Sequence, residues 1–445
     1  ASSKLDNKFL KAMTGTDIEI PGQYTNCRSK PLPASHAKIS YVSEKVLRLK
    51  SLRSPTRICL YGSDGRPYYF LVKGGEDLRN DQRVEQIFHT INTVLHRDQT
   101  CGRKQMRVET FAVIPMSTKV GIIEWIDNTV ELNSIYGGSS STMSPLPTAL
   151  KLPKGKKHDW EFYKKLFENY TTVAGGYANE VDTQFRHGHL AHYVKSSART
   201  CEVFCALRMN LVKSLATLNV AGYLLGIGDR HLGNCLVGTK DLSLIPIDFG
   251  HTFGSATFLL PIPELIPFRL DPQMEAIMSP HHPTRAMEAY MAHAFIALKR
   301  EKTLVLTAME VYVNDPLLEW RNRAKRVKIA PSGASSQRDG HLLAQEFETL
   351  SVSSYGQYLL DMARGKLEYQ SPFDLLRKDI QRNQRAEVAK YKSHILAFLD
   401  KKKAQCARDR ERAATNGDRA ECADFVRQLT FLATDREVQL VSYAG

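Results

Sequence analysis

The pattern of apolar and polar positions changes period twice along this chain. From Glu19 it is that of strands. Residues 37–49 and 56–62 are rich in apolar side chains, and 67–73 form the next run. Ser63-Asp64-Gly65 supplies hairpin-turn chemistry between the last two. Val84, Ile87, Phe88, Ile91 and Leu95 then recur at helical spacing, which predicts a helix to about Leu95 with this stripe in the core. Two further strand-like runs follow, 109–115 and 120–125. Residues 137–157, rich in Ser, Gly, Pro and Lys, read as a loop. Phe204, Leu207, Leu211, Leu215 and Leu218 mark an amphipathic helix, and 287–298 and 303–313 are helical by pattern. Residues 331–339 have the composition of a linker, and the basic stretch 342–412 reads as helical. The order predicts an α+β chain of two lobes, a small β-rich N-terminal lobe with one helix and a larger, mainly α-helical C-terminal lobe.

Chemistry concentrates between Leu224 and Gly254. An apolar, glycine-spaced turn leads into Asp229, Arg230 and His231, with Asn234 five places after the aspartate. An apolar run, 244–247, then delivers Asp248, Phe249 and Gly250. A carboxylate, an amide five residues on and a second carboxylate before Phe-Gly are what metal-dependent phosphoryl transfer requires. The first acid orients or receives the proton of the attacking hydroxyl, and the amide and second acid hold magnesium against the nucleotide phosphates. A polar turn and a loop-capping aspartate explain any one of these residues, but not the ordered set. Lys73 ends an apolar strand, where its cation costs desolvation unless an anion meets it or it snorkels to the surface. Glu76 and Asp81 stand at the start of the next helix, and either could orient Lys73 or the metal. The turn at 50–55 lacks the glycine-rich pattern of ordinary kinases, but the Ser51 hydroxyl and nearby backbone N–H groups could cover phosphate oxygens.

The segments GIGDRHLGN, IDFGHTFGSAT and LPIPELIPFRL, with EIPGQY and FLVKGGEDLRNDQRVEQ upstream, resemble the phosphatidylinositol 3-kinase-related protein kinases. Common protein kinases carry His-Arg-Asp where this chain has the inverted Asp-Arg-His at the same interval to the asparagine. The resemblance implies a two-lobed kinase fold of that type, with ATP and Mg2+ as cofactors and serine/threonine protein kinase activity. Its phosphate-binding lysine falls on Lys73, and Ser51 would join it on the phosphates. Its inter-lobe hinge falls on Ile123-Glu124-Trp125-Ile126, where Trp125 would stack on adenine. Leu49, Leu71, Phe111, Leu236 and Ile247 are the candidate walls. Asp229 would act on the substrate hydroxyl, His231 would donate to the transferring phosphoryl group, Arg230 would brace the loop, and Asn234 and Asp248 would ligate magnesium. Residues 1–124 correspond to an N-lobe, 125–325 to hinge and C-lobe, 326–414 to a linker and basic helical region, and 415–445 to a truncated FATC-like segment without its aromatic end. Within the family the likeness is to the branch acting at DNA ends. That implies a nuclear role in double-strand-break repair by non-homologous end joining, and substrates with Ser or Thr followed by Gln. It also implies recruitment to DNA ends by the Ku heterodimer, through a missing upstream part.

Composition adds bounds. The chain of 445 residues has room for two lobes and appendages, and its start at Ala1 suggests a fragment of a longer polypeptide. No apolar run of membrane-spanning length is evident in the sequence, so no membrane partner is expected. Eight cysteines without a CxxC pair suit a reducing compartment. The net charge of +14 raises direct DNA binding, but basic solvated helices explain it equally well. His187, His189 and His192 lack an acid or cysteine to complete a metal site. Residues 251–268 contain no lysine or arginine. A phosphoinositide kinase would need cations there for the headgroup, so a peptide hydroxyl is favoured. A catalytically dead scaffold would be marked by loss of Lys73, Asp229, Asn234 or Asp248, all of which are present. Ser336-Gln337, in the linker, is a candidate self-modification site.

Overall fold

The computed structural model describes residues 2–4, 17–24, 32–49, 54–136, 188–254, 264–266, 268–278, 284–314, 356–382, 392–408, 418–435 and 438–439. Ser51, His187 and the Ser336-Gln337 pair lie outside them. The chain divides into two compact units, Ala1–His89 with Glu109–Thr129, and Thr90–Val108 with Val130–Gly445.

The first unit is built on a seven-stranded sheet. Its strands are β1 (Ser2–Lys4), β2 (Ile39–Val42), β3 (Lys45–Arg48), β4 (Thr56–Gly62), β5 (Pro67–Gly74), β6 (Val113–Pro115) and β7 (Val120–Glu124). They run β1-β3-β4-β5-β7-β6, with β2 also paired to β4. The β4–β5 hairpin forms at the expected turn. Gly62 N–H donates to Arg66 O at 2.9 Å, and Gly65 takes φ +75°, a conformation glycine adopts without steric cost. The single run expected over 37–49 is two strands. The polar pair Ser43-Glu44 interrupts it, and Ser43 N–H turns to Cys59 O at 2.9 Å. Of the run expected at 109–115, only the last three residues join the ladder. Ile20, Ile39, Val42, Leu60 and Phe70 form a core on this sheet. Helix α1 (Arg79–Arg97) carries the predicted stripe, with Val84, Phe88 and Leu95 fully buried. It starts after Glu76, which therefore lies in the connection and not in the helix.

The second unit is mainly helical. It comprises α2 (Gln99–Arg103), α3 (Leu132–Ile135), α4 (His189–Ser197), α5 (Cys201–Leu225), α6 (Pro272–Met278), α7 (Arg285–Arg300), α8 (Lys302–Asn314), α9 (356–367), α10 (Pro372–Arg382), α11 (Lys392–Arg408) and α12 (Asp418–Thr434). A three-stranded sheet joins β8 (Thr129–Glu131), β9 (Cys235–Gly238) and β10 (Leu244–Pro246). Helix α5 is the axis of the unit. Thr200 caps its start by accepting the Val203 N–H. Tyr223 near its end meets Phe295 of α7, which meets Phe425 of α12 with ring centroids 5.0 Å apart. By length and composition α5 is long and apolar enough to cross a membrane, contrary to the expectation that no such run exists. Leu211, Leu215, Val220 and Leu224 are buried in the unit's core, while Val203 and Met209 near its start are exposed.

Candidate active site

In the first unit, Lys73 sits near the end of β5, opposite Gly121 of β7. Its Nζ forms an ion pair with Glu76 Oε1, which sets Glu76 beside Lys73. Asp81 is buried on α1, one turn before Glu85. Glu85 is itself buried, and its carboxyl accepts the Phe111 N–H at 3.3 Å. Burial holds Glu85 well above the ordinary carboxylate range. Leu71 pairs with Ile123 across β5–β7, and Phe111 is buried beside Glu85. Glu124 Oε2 accepts the Ala112 N–H at 2.8 Å, and Glu124 N–H returns a bond to Ala112 O. Trp125 N–H donates to Tyr69 O at 2.9 Å, extending the ladder one residue past β7. Thr129 Oγ1 donates to the Ile126 carbonyl at 2.9 Å and so tightens the turn that follows. The half-buried Leu49 donates its N–H to Pro55 O at 3.0 Å. Arg57, which sequence reasoning passed over, lays its guanidinium over the rings of Tyr69 and Trp125, 5.0 and 4.9 Å from their centroids. Glu85 was also missed, although a carboxylate four residues after Asp81, inside an apolar helical stripe, is a signal.

In the second unit the catalytic candidates meet in two loops laced together. Helix α5 ends at Gly226, with φ +59°. A Cβ there would lie 2.5 Å from Gly254 N, so glycine is required both for backbone conformation and for close approach. Three backbone bonds stitch the strands on either side: Phe253 N–H to Leu225 O, Gly254 N–H to Gly226 O and Gly228 N–H to His251 O, at 2.7–2.9 Å. Arg230 closes the assembly. Its guanidinium donates to Gly228 O and Ile247 O, both at 2.9 Å, and to Asp248 O. It also lies over the Phe249 ring.

Asp229 and Asp248 both have left-handed backbones, at φ +56° and +61°. Aspartate tolerates this region better than most residues, and such strain persists where surrounding bonds over-determine it. Around Asp229 those bonds are explicit. Its N–H donates to Glu264 Oε1 at 2.9 Å, and its carbonyl accepts Asn234 Nδ2 at 2.9 Å. The second bond commits the amide nitrogen of the buried Asn234 and leaves Oδ1 as the atom able to ligate a cation. His231 Nδ1 accepts the Gly233 N–H at 3.1 Å. That assigns the neutral ring's proton to Nε2 and makes this nitrogen a donor. Asp248 is exposed and accepts Gly250 N–H at 3.2 Å through Oδ1. Ile247, half-buried, donates its N–H to Asn234 O, and the half-buried Leu236 faces Ile245 across β9–β10. Asp229, Arg230, His231, Asn234, Ile247 and Asp248 thus belong to one hydrogen-bonded assembly, while Leu236 joins it only through the sheet.

A carboxylate oxygen and an oriented amide oxygen make a hard-oxygen donor pair. That suits a magnesium ion, which takes few protein ligands and completes its shell with phosphate and water. Among the described residues no group of three His, Cys, Asp or Glu side chains could form an all-protein metal cage.

The family model described as phosphatidylinositol 3- and 4-kinase matches residues 67–322. The chain is 37% identical over 386 residues to the DNA-dependent protein kinase catalytic subunit of Mus musculus, covering 83% of this chain and 9% of that one. Against the same protein of Gallus gallus identity is 35% over 382 residues, covering 82% and 9%. The Serine/threonine-protein kinase TOR of Arabidopsis thaliana is 29% identical over 325 residues, covering 71% and 13%. The chain therefore spans only a small part of the length of these relatives. Among solved structures, the FAT and kinase domain of CtTel1 superposes with a TM-score of 0.61 at 20% identity, covering 88% of this chain and 26% of that one, a likeness of fold. With the family model spanning more than half of the sequence, the chain belongs to the phosphatidylinositol 3- and 4-kinase family, in which it carries a kinase domain of the phosphatidylinositol 3-kinase-related protein kinases.

Proposed function

We propose that this chain is the catalytic portion of a serine/threonine protein kinase that transfers the γ-phosphate of ATP to Ser or Thr, preferentially before Gln. The observation that carries the reading is the pair of loops in which Arg230 and Asn234 tie the backbone of Asp229 to that of Asp248. The Asp229 carboxylate accepts the proton of the substrate hydroxyl as its oxygen bonds to the γ-phosphorus and the bond to the β-phosphate oxygen breaks, releasing ADP. His231 Nε2–H donates to the phosphoryl oxygens as their charge redistributes. Arg230 braces the two loops. Asn234 Oδ1 and Asp248 would hold Mg2+, which supplies charge neutralisation at the phosphates when bound. Lys73, oriented by Glu76, meets phosphate oxygens with Ser51. In the first unit Trp125 stacks on adenine with Leu49, Leu71 and Phe111 as walls, and Glu124 and Ile126 supply the hinge backbone; Leu236 and Ile247 are the wall candidates of the second unit.

The curated relatives named DNA-dependent protein kinase catalytic subunit support the finer reading. The parent protein acts in the nucleus in double-strand-break repair by non-homologous end joining, recruited to DNA ends by the Ku heterodimer through parts outside this chain. A second reading, phosphoinositide phosphorylation, is favoured by the family model's description. The absence of lysine and arginine from residues 251–268 opposes it, since a phosphorylated headgroup demands cations. Incubation with radiolabelled ATP, magnesium and either a Ser-Gln peptide or phosphoinositide vesicles separates the two. Label in the peptide and not the lipid is expected, and label confined to the lipid would overturn the proposal.

A further inference from the structure

Segment 264–271 meets the catalytic loop at two points and the carboxy-terminal region at a third. Glu264 Oε1 accepts the Asp229 N–H at 2.9 Å. Arg269 Nη1 donates to Arg230 O at 3.4 Å, and Arg269 Nε pairs with the buried Asp271 at 3.4 Å. Asp271 caps α6 through the Gln273 and Met274 N–H groups and accepts the Tyr136 hydroxyl. At the third point, Gln439 Nε2 donates to Leu270 O at 2.9 Å. The rear of the segment is therefore anchored independently of Glu264. The Glu264 bond is the one that reaches the proposed catalytic aspartate itself.

The bond falls where it is needed. Asp229 has a backbone conformation that a residue with a Cβ adopts reluctantly, and its carbonyl is fixed by Asn234. With the carbonyl held, the N–H is the remaining backbone handle on the residue. Asp229 is half-buried, and an N–H partly shielded from water that loses its acceptor costs free energy, so the loop would rearrange to find another. Glu264 lies beside a cavity of about 70 Å³ lined also by Gly228, Leu265 and Leu432 and by the charged Lys366 and Asp379. Burial pushes its carboxyl up to about 7, and nearby Asp229 adds to the rise.

Resting on the phosphoryl-transfer reading above, we infer that Glu264 is a positioning residue: by accepting the Asp229 N–H it holds the proposed catalytic aspartate in its left-handed conformation and couples the segment after the Asp248 turn to the reaction. What the site requires is an acceptor oxygen at this point. Glu264→Gln keeps one in nearly the same volume, and Glu264→Met keeps the volume without one.

The test compares these two substitutions in the whole chain. Glu264→Met should lower kcat about 30-fold with KM for ATP unchanged, the fold-change expected when one charge-assisted N–H bond of about 2 kcal/mol is lost. Glu264→Gln should stay within about threefold of wild type, because a neutral amide oxygen still accepts the bond. Amide hydrogen exchange at 228–231 gives a readout independent of turnover, with protection kept in Glu264→Gln and lost in Glu264→Met. Equal kcat and equal protection in the two variants would overturn the inference, as would wild-type behaviour of Glu264→Met. If Glu264→Met does not fold, Glu264→Gln decides alone: retained protection at Asp229 supports the role, and lost protection refutes it. An inactive wild type with the predicted exchange pattern would count against the kinase reading and leave the structural coupling standing.

Discussion

Arg230→Lys is the substitution that most directly probes how the two loops are held. In the wild type the guanidinium spans the carbonyls of Gly228, Ile247 and Asp248, two of them at 2.9 Å. Lysine keeps the charge but is a point donor without the planar fork, and can satisfy one of these carbonyls well. Two charge-assisted bonds are lost, each worth about 1.5–3 kcal/mol. The guanidinium is half-buried, so water recovers part of this, and a net loss of about 2–4 kcal/mol remains. Because the bonds bridge Gly228 to Asp248, the cost is borne by the arrangement that, in the proposed reaction, brings Asp229 and Asp248 to the substrate. The expected fall in kcat is therefore about 30- to 1,000-fold. The assay is steady-state peptide phosphorylation, with direct ATP binding and a thermal melt of the same preparation. A kcat within threefold of wild type would refute the bracing role. A rate loss fully explained by weaker ATP binding would instead make Arg230 a nucleotide contact.

Gly226→Ala places a Cβ 2.5 Å from Gly254 N at φ +59°. Left-handed strain and loss of the neighbouring backbone bonds should cost roughly 3 kcal/mol and lower the melting transition of the second unit by about 6–12 °C. An unshifted melt would contradict the close approach. With Nε2–H acting mainly in the transition state, as proposed, His231→Ala should lower kcat far more than ATP affinity; weaker ATP binding at unchanged kcat would exclude that role. The Glu264 carboxyl makes stability depend on pH. Its folded value is raised to about 7. Between the unfolded value and 7 the native state therefore holds more protons, and stability falls as pH rises. Relative to Glu264→Gln, the wild type should lose up to about 3 kcal/mol between pH 4.5 and 7, and parallel urea titrations at the two pH values would reveal a flat difference if the carboxyl is not buried as described.

Where chemistry is local, the sequence was a good guide to the fold. The β4–β5 hairpin follows from Ser63-Asp64-Gly65, and the buried face of α1 from the spacing of Val84, Phe88 and Leu95. The split of 37–49 was hidden because Tyr41 to Val46 is apolar except for Ser43, Glu44 and Lys45, too short a break to override the pattern. The choice between Glu76 and Asp81 was open because both lie within reach of Lys73 along the chain. The turn at Gly75, φ +80°, leaves Glu76 ahead of the helix and in an ion pair with Lys73, which spacing along the chain does not show. Asp229, Asn234 and Asp248 stand out as candidates by their order alone. Their means of support could not. Glu264 lies thirty-five residues from Asp229. Arg230 is an ordinary loop arginine until the carbonyls of Ile247 and Asp248 are brought to it, and Arg57 is an ordinary strand residue until folding sets it over Trp125.

The central claim, that Asp248 serves metal-dependent phosphoryl transfer to a peptide hydroxyl, is tested most directly by one comparison. Wild type and Asp248→Asn, at equal folded concentration with excess magnesium and radiolabelled ATP, are assayed on a Ser-Gln peptide. Asp248 is exposed and its Oδ1 accepts the Gly250 N–H, a bond an asparagine oxygen can keep, so the substitution should leave the melt unchanged. The account predicts label in the peptide with the wild type and none above background with Asp248→Asn. Peptide labelling by Asp248→Asn at the wild-type rate would contradict it.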